Sequence, residues 1–224
     1  MRFFKYCGST VLCLITSGLF ASAANAQSEN WQGTYGQVGI GYQSTSLSYS
    51  PWTYYPSGGS ARPGTSSANN ANNFALALGV GYYYAFSQSF VLGIGGEYAP
   101  LAGAKANTTS SYSGASSSSY GQYNVQSAYN LFLSPGWVID KEKLVYAKIG
   151  YAGAQIKTSS SNTYSYNGYS LGLGYKQFIT NTIYGFGEVN YTDYGNSNNR
   201  TDYNFAGTTT LKATNFLLGL GYRF

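Results

Sequence analysis

The sequence predicts an all-β fold, an eight-stranded antiparallel up-and-down transmembrane β-barrel, and three observations predict it. The phrases Val38-Gly39-Ile40-Gly41-Tyr42, Leu78-Gly79-Val80-Gly81-Tyr82, Leu171-Gly172-Leu173-Gly174-Tyr175 and Leu218-Gly219-Leu220-Gly221-Tyr222 recur along the chain, with Leu92-Gly93-Ile94-Gly95 as a partial fifth. Strand side chains alternate between faces, so each phrase puts bulky apolar groups on one face and bare glycine on the other. A glycine face suits the narrow interior of a small barrel. Second, only 8% of the 224 residues are charged while 18% are aromatic. Ordinary soluble domains carry about a quarter of charged residues, so part of this surface faces lipid. Third, eight alternating segments reach the roughly 9 to 11 residues that a tilted membrane strand needs.

The elements follow in order. Residues 1–26 read as a cleaved signal peptide: Arg2 and Lys5, the apolar run from Val11 to Phe20, then Ala24-Asn25-Ala26 as a small-residue cleavage site. Thr16, Ser17 and Gly18 interrupt the apolar run and leave it short of a spanning helix. Both cysteines, Cys7 and Cys13, leave with it, so residues 27–224 form a cysteine-free barrel domain with no covalent staple. Of twelve basic residues ten remain against seven acidic ones, a net charge of +3. No basic cluster accompanies it, and nucleic acid is not an expected partner.

The eight strands are expected at about Gly33 to Ser46, Asn73 to Tyr84, Phe90 to Ala99, Tyr123 to Trp137, Leu144 to Ile156, Tyr164 to Gln177, Thr182 to Asp193 and Thr210 to Phe224. Short connections fall at Ala85 to Ser89, Val138 to Lys143 and Phe178 to Asn181. Long ones fall at Leu47 to Asn72, Pro100 to Gln122, Lys157 to Thr163 and Tyr194 to Thr209. Outer-membrane barrels keep short turns in the periplasm and long loops outside the cell, which puts both termini in the periplasm of a Gram-negative cell. The long loops have a solvated, mobile composition rich in Ser, Asn, Gly and Tyr. Aromatic residues are expected at the rims: Trp31, Tyr82, Tyr84, Phe90, Trp137, Tyr175, Tyr222 and Phe224 on the periplasmic side, Tyr98, Tyr169 and Tyr191 on the outer side.

Parity alone does not separate this barrel from a soluble one of lipocalin type with its apolar face inside. The scarcity of charge decides, because a soluble exterior needs far more than this chain has. The Gly-x-Gly units lack the third glycine and the helix that a nucleotide fingerprint requires.

The terminal Leu220-Gly221-Tyr222-Arg223-Phe224 resembles the outer-membrane assembly signal, with Leu220, Tyr222 and Phe224 at alternate positions. Glu188-Val189-Asn190-Tyr191-Thr192-Asp193-Tyr194-Gly195 is similar to the Glu-Tyr-Arg-Tyr-Thr-Asp-Tyr-Gly pattern in the penultimate strand of the opacity-protein and surface-antigen family of eight-stranded barrels, relatives of the OmpA membrane domain. Val189 and Asn190 depart from that pattern. The resemblance implies a porin-like outer-membrane barrel delivered by the barrel assembly machinery, and this chain stops at the barrel.

Chemistry is confined to a few charges. By parity Glu97, Lys148, Lys176, Glu188 and Arg223 turn away from the apolar face, where a Lys or Arg meeting lipid at mid-depth costs about 2 to 4 kcal/mol. Lys148 is expected to bridge Glu97 and Glu188, with Gln126 and Asn130 as neutral partners and Lys176 and Arg223 near the periplasmic mouth. The favoured reading is a polar plug; the alternative is a narrow, gated channel for ions or small solutes. The absence of histidine excludes Ser-His-Asp hydrolysis and histidine-ligated metal. A paired-acid glycosidase finds no cleft in so narrow a barrel. No enzyme activity, cofactor or metal is expected. The expected role is structural and interactive, through the long loops. Arg62, Lys105, Lys157, Arg200 and Lys212 at the outer rim are placed to meet lipopolysaccharide phosphates, and the loops to meet a host-surface ligand.

Overall fold

The computed structural model describes residues 28–57, 59–100, 105–115, 118–158, 163–197, 205–206 and 208–224. The expected signal peptide, Arg200 and Asp202 lie outside these. A short 3-10 turn, Ser28–Trp31, leads into twelve strands: β1 (Gly33–Tyr49), β2 (Trp52–Tyr54), β3 (Arg62–Ala68), β4 (Ala71–Ala85), β5 (Phe90–Ala99), β6 (Ala106–Tyr112), β7 (Ser119–Asp140), β8 (Lys143–Thr158), β9 (Thr163–Phe178), β10 (Ile183–Ser197), β11 (Phe205–Ala206) and β12 (Thr209–Arg223).

Eight of them close a ring in the order β1, β4, β5, β7, β8, β9, β10, β12, with every neighbour antiparallel and β12 returning to β1. These are the eight expected segments, most of them extended by a few residues. Closure leaves no free edge in the hydrocarbon zone, the condition for a sheet to cross a membrane.

The oily face points outward. Leu218 is 70% exposed, Leu173 63% and Ile94 62%, whereas the lumen-side residues of the same strands are buried. Along β4 the outward row runs from Phe74 to Tyr84. Ten residue steps at ~3.3 Å, tilted by about 40°, give a band roughly 25 Å tall, the height of the apolar belt of outer-membrane barrels. One rim carries Phe90 stacked against Trp137 at 6.3 Å and Tyr222 against Phe224 at 5.0 Å. The other carries exposed Tyr42, Tyr98, Tyr129, Tyr151, Tyr169 and Tyr191.

Three expectations change. Trp31 is no rim residue: it is 2% exposed and sits inside the turn end of the barrel. The long connections are not simply mobile coil, because β11, β2, β3 and β6 pair in that order and join the upper part of β7, forming a sheet that rises from the loop end. Their Ser- and Thr-rich alternation satisfies a ladder as readily as it satisfies water. The connection between β8 and β9 is short, since those strands run on to Thr158 and start again at Thr163.

Candidate functional site

Among the described residues the lumen gathers the buried charge, and it is built in layers. At mid-height Lys148 Nζ lies 2.6 Å from Glu97 Oε2 and 2.9 Å from Glu188 Oε1. Strand parity brings these three together from β8, β5 and β10. Tyr146 donates its hydroxyl to Glu188 Oε2 at 2.7 Å, and Asn190 donates to Glu188 Oε1 and to Asn215 Oδ1. The Lys148 ammonium also sits 4.3 Å from the centre of the Phe132 ring. Each lone pair of a buried carboxylate that finds a donor offsets part of its desolvation cost.

Gln37 joins this layer to the one beneath. Its amide nitrogen donates to Glu97 Oε1 at 3.3 Å, and its carbonyl accepts from Lys176 Nζ at 3.0 Å and from the Tyr184 hydroxyl at 3.1 Å. The Lys176 ammonium is enclosed by four rings, 4.2 Å from the centre of Tyr35, 4.9 Å from Tyr184, and 5.0 Å from both Tyr83 and Tyr146. Ring faces carry negative quadrupole and hold a cation where no carboxylate touches it. Two ammonium groups and two carboxylates therefore occupy the interior, and its formal charge is zero.

The repeated glycines explain how those rings fit. Tyr35 pairs across the ladder with Gly81, Tyr83 with Gly93, Tyr146 with Gly174 and Tyr184 with Gly221. A Cβ at any of these glycines would stand 2.1 to 2.6 Å from the facing tyrosine side chain. Each glycine is the seat of one ring of the cage.

Above the ion layer apolar side chains predominate, with Gln43, Thr45 and Thr192 buried beside them. Leu47, Ala71, Ala106, Tyr123, Val125, Ala152, Ala154, Ile156, Tyr166, Tyr194, Leu211 and Ala213 form a buried cluster at the loop end. At the turn end, the Trp31, Phe178 and Tyr184 rings pack in tilted and edge-to-face contact beneath the Lys176 cage, with Trp31 and Phe178 ring centres 4.2 Å apart.

Of the residues expected in the polar network, Glu97, Lys148, Glu188 and Lys176 are linked as described. Asn130 faces the lumen but accepts from Ser170 Oγ at 2.7 Å instead of meeting Lys148. Gln126 is a correction: it is exposed, because the β7–β8 register shifts between Val125 and Ser127, and that bulge reverses the parity used to place it. Arg223 lies at the turn-end mouth, donating to the Asn30 and Asn181 backbone carbonyls. Leu220, Tyr222 and Phe224 all face outward. Parity alone missed Gln37, Tyr146 and Asn190, because neutral polar residues on a strand give no signal stronger than their neighbours.

The sequence-family comparison settles the class of the molecule. The model of the outer membrane protein beta-barrel domain matches residues 12–224. The chain belongs to this family. As a member of the outer membrane protein beta-barrel family it resides in the outer membrane of the Gram-negative envelope. The 25 kDa outer-membrane immunogenic protein of Brucella melitensis is 36% identical over 85 residues, 35% of this chain and 38% of that relative, so the match spans well under half the relative's length. Among solved structures, OprG of Pseudomonas aeruginosa aligns with a TM-score of 0.51 at 14% identity, covering 86% of this chain and 97% of that one. Ail of Yersinia pestis aligns with a TM-score of 0.43 at 18% identity, covering 86% and 99%. The likeness to OprG shows the barrel fold alone.

Proposed function

We propose that this outer-membrane barrel is a closed scaffold that holds a surface sheet of loop strands, not a pore. The loop end faces the exterior and the turn end, with both termini, faces the periplasm. The observation that supports this reading is the succession of buried side chains inside the ring: a largely apolar cluster, an ion layer and an aromatic layer. Eight strands leave an interior just wide enough for side chains, which favours a closed barrel.

Function on this reading belongs to the loop end, with no catalytic step. The sheet of β11, β2, β3 and β6 presents Arg62, while Lys105 and Lys157 lie exposed beside it. Lys212 is less available for lipopolysaccharide phosphate than its charge suggests, since it pairs with Asp193 at 3.3 Å. Partners of this surface are lipopolysaccharide and a host-surface ligand, and the barrel assembly machinery acts on the outward Leu220, Tyr222 and Phe224.

The test has two arms. Purified protein in planar bilayers is expected to show no discrete conductance. Replacing residues 50–70 and 100–118 by short turns is expected to abolish binding to cells and to immobilised lipopolysaccharide while leaving the heat-modifiable barrel intact. Steady conductance by the intact protein, or unchanged binding after loop removal, overturns the reading.

A further inference from the structure

We infer that Ser28–Trp31 is a hinged lid across the turn-end mouth of the barrel, lying over the Lys176 cage. This goes beyond the scaffold reading, which asks only that the lumen be closed, and concerns how its two ends differ.

Upward, the cage has no exit. The Lys176 cage is capped by the Lys148 ion layer and then by the apolar cluster, and each is built from the barrel wall itself. Opening in that direction requires wall strands to separate. Downward the situation differs. Among the described residues, the stopper at the turn end is Trp31, its ring tilted against Phe178 at 4.2 Å and against Tyr184 at 5.9 Å, and Tyr184 also forms one side of the cage. Trp31 belongs to no strand of the ring.

The turn is strapped across the mouth by contacts to each short connection, joined by an Arg223 bond to the Glu29 carbonyl and, just beyond the turn, by the Ala85 amide donating to Gln32 Oε1 at 3.2 Å. Ser28 Oγ donates to the Ser87 carbonyl between β4 and β5 at 2.5 Å. Asn30 Nδ2 donates to the Lys141 carbonyl between β7 and β8 at 3.2 Å. Arg223 reaches the Asn30 carbonyl with one guanidinium nitrogen and the Asn181 carbonyl between β9 and β10 with the other. The last two sets are solvent-exposed, so water substitutes for them readily.

Two further features suit a part that moves. The Trp31 indole N–H is buried without a hydrogen-bond partner, and an unmatched buried donor costs about 1–3 kcal/mol, which offsets part of what the ring gains by burial. Gly33, where the turn meets β1, has φ +130, and a Cβ there would stand 3.3 Å from the Phe224 carbonyl oxygen. Glycine at that junction lets the chain swivel in a region closed to other residues.

Lysine reactivity reads the lid directly. The full protein, folded in detergent micelles, is treated with a water-soluble amine-reactive ester and each lysine is followed by mass spectrometry. In the wild type, Lys141 and Lys143 react quickly, while Lys148 and Lys176 are protected. In Trp31→Ala and Arg223→Ala, Lys176 is expected to react at least roughly tenfold faster than in the wild type, the signature of a local opening, with Lys148 unchanged. Trp31→Phe keeps the ring and removes the orphan N–H, so its Lys176 is expected to be as protected as in the wild type. The proposal is overturned if Lys176 keeps its wild-type rate in the alanine variants. It is equally overturned if Lys148 and Lys176 accelerate together, which would mean that the whole barrel loosens. Conductance in bilayers stays absent in both variants if the scaffold reading holds, so a pore opened by Trp31→Ala would sink that reading separately.

Discussion

The Lys148 ammonium lies 2.9 Å from Glu188 Oε1, and the two side chains are 1% and 0% exposed. Glu97 takes the other side of the same ammonium, so removing Lys148 leaves two buried carboxylates with neutral donors alone in contact and Lys176 in the layer below. Breaking a buried pair by deleting one partner costs about 3–5 kcal/mol. Lys148→Met is therefore expected to lower the urea midpoint of unfolding sharply, followed by tryptophan fluorescence and gel mobility. The double variant Lys148→Met, Glu188→Gln returns the lumen to one ammonium and one carboxylate, and it is expected to recover most of the loss. A double variant as fragile as the single one would show that charge balance is not what the layer supplies.

The apolar cluster at the loop end decides whether ion-pair rearrangement can open the barrel. Leu211, Ile156 and Tyr123 are buried above the Lys148 layer, and no exchange of partners among Lys148, Glu97 and Glu188 displaces them. Lys148→Ala alone is expected to stay silent in a planar bilayer. Combining it with Leu211→Gly and Ile156→Gly thins the apolar cluster and is still expected to give no conductance, because the Lys176 cage and Trp31 close the turn end. A discrete conductance in Lys148→Ala alone would contradict this layered seal.

Period-two alternation was enough to read eight strands, their facing and the placement of Glu97, Lys148, Lys176 and Glu188, because one misplaced step would turn lysine to hydrocarbon. It failed where the period slips. Gln126 is the extra residue of a bulge, and nothing in its local composition marks the shift. The family-like segment Thr192-Asp193-Tyr194-Gly195 marks another register shift: the Gly195 amide donates to Asp193 Oδ1 at 2.9 Å, with Gly195 at φ +71. Such an aspartate-glycine pair was visible in the sequence, but only the register shows what it does. The loop-end sheet was hidden for another reason. Its strands are short, β2 and β11 only 3 and 2 residues, and their pairing is non-local.

Asp140 and Lys143 close the tight turn between β7 and β8 with a 2.9 Å ion pair exposed to solvent. The hydrogen bond from Lys143, then that from the Glu142 amide, holds the Asp140 carboxyl below the ordinary carboxylate range, and Asp140 in turn pushes Lys143 up. A carboxylate depressed on folding stabilises the fold above its unfolded value and loses that contribution as pH falls through the folded value. Solvent screening keeps this effect small. NMR titration is expected to place the Asp140 midpoint below that of free aspartate, and Lys143→Met to raise it without moving the unfolding midpoint at neutral pH. An unmoved Asp140 midpoint in that variant would remove Lys143 as its cause.

The four glycine seats give the sharpest contrast between faces. At Gly221 a Cβ would meet the Tyr184 ring at 2.1 Å, and at Gly174 the Tyr146 ring at 2.3 Å. Neither ring has room to retreat, since both press on the Lys176 ammonium and Tyr146 also holds Glu188. Overpacking of this kind costs about 1–3 kcal/mol, and here it also uncouples a cation from its cage. Gly185 is the control: it lies on the outward side of the same wall, where the nearest atom to a new Cβ is Ile179 Cδ1 at 3.6 Å. Gly221→Ala and Gly174→Ala are expected to lower the unfolding midpoint, while Gly185→Ala leaves it unchanged. Pairing Gly221→Ala with Tyr184→Leu empties the space that the methyl needs, and should restore part of the stability. If Gly221→Ala unfolds no more easily than Gly185→Ala, the repeated phrase serves the backbone alone and not the cage.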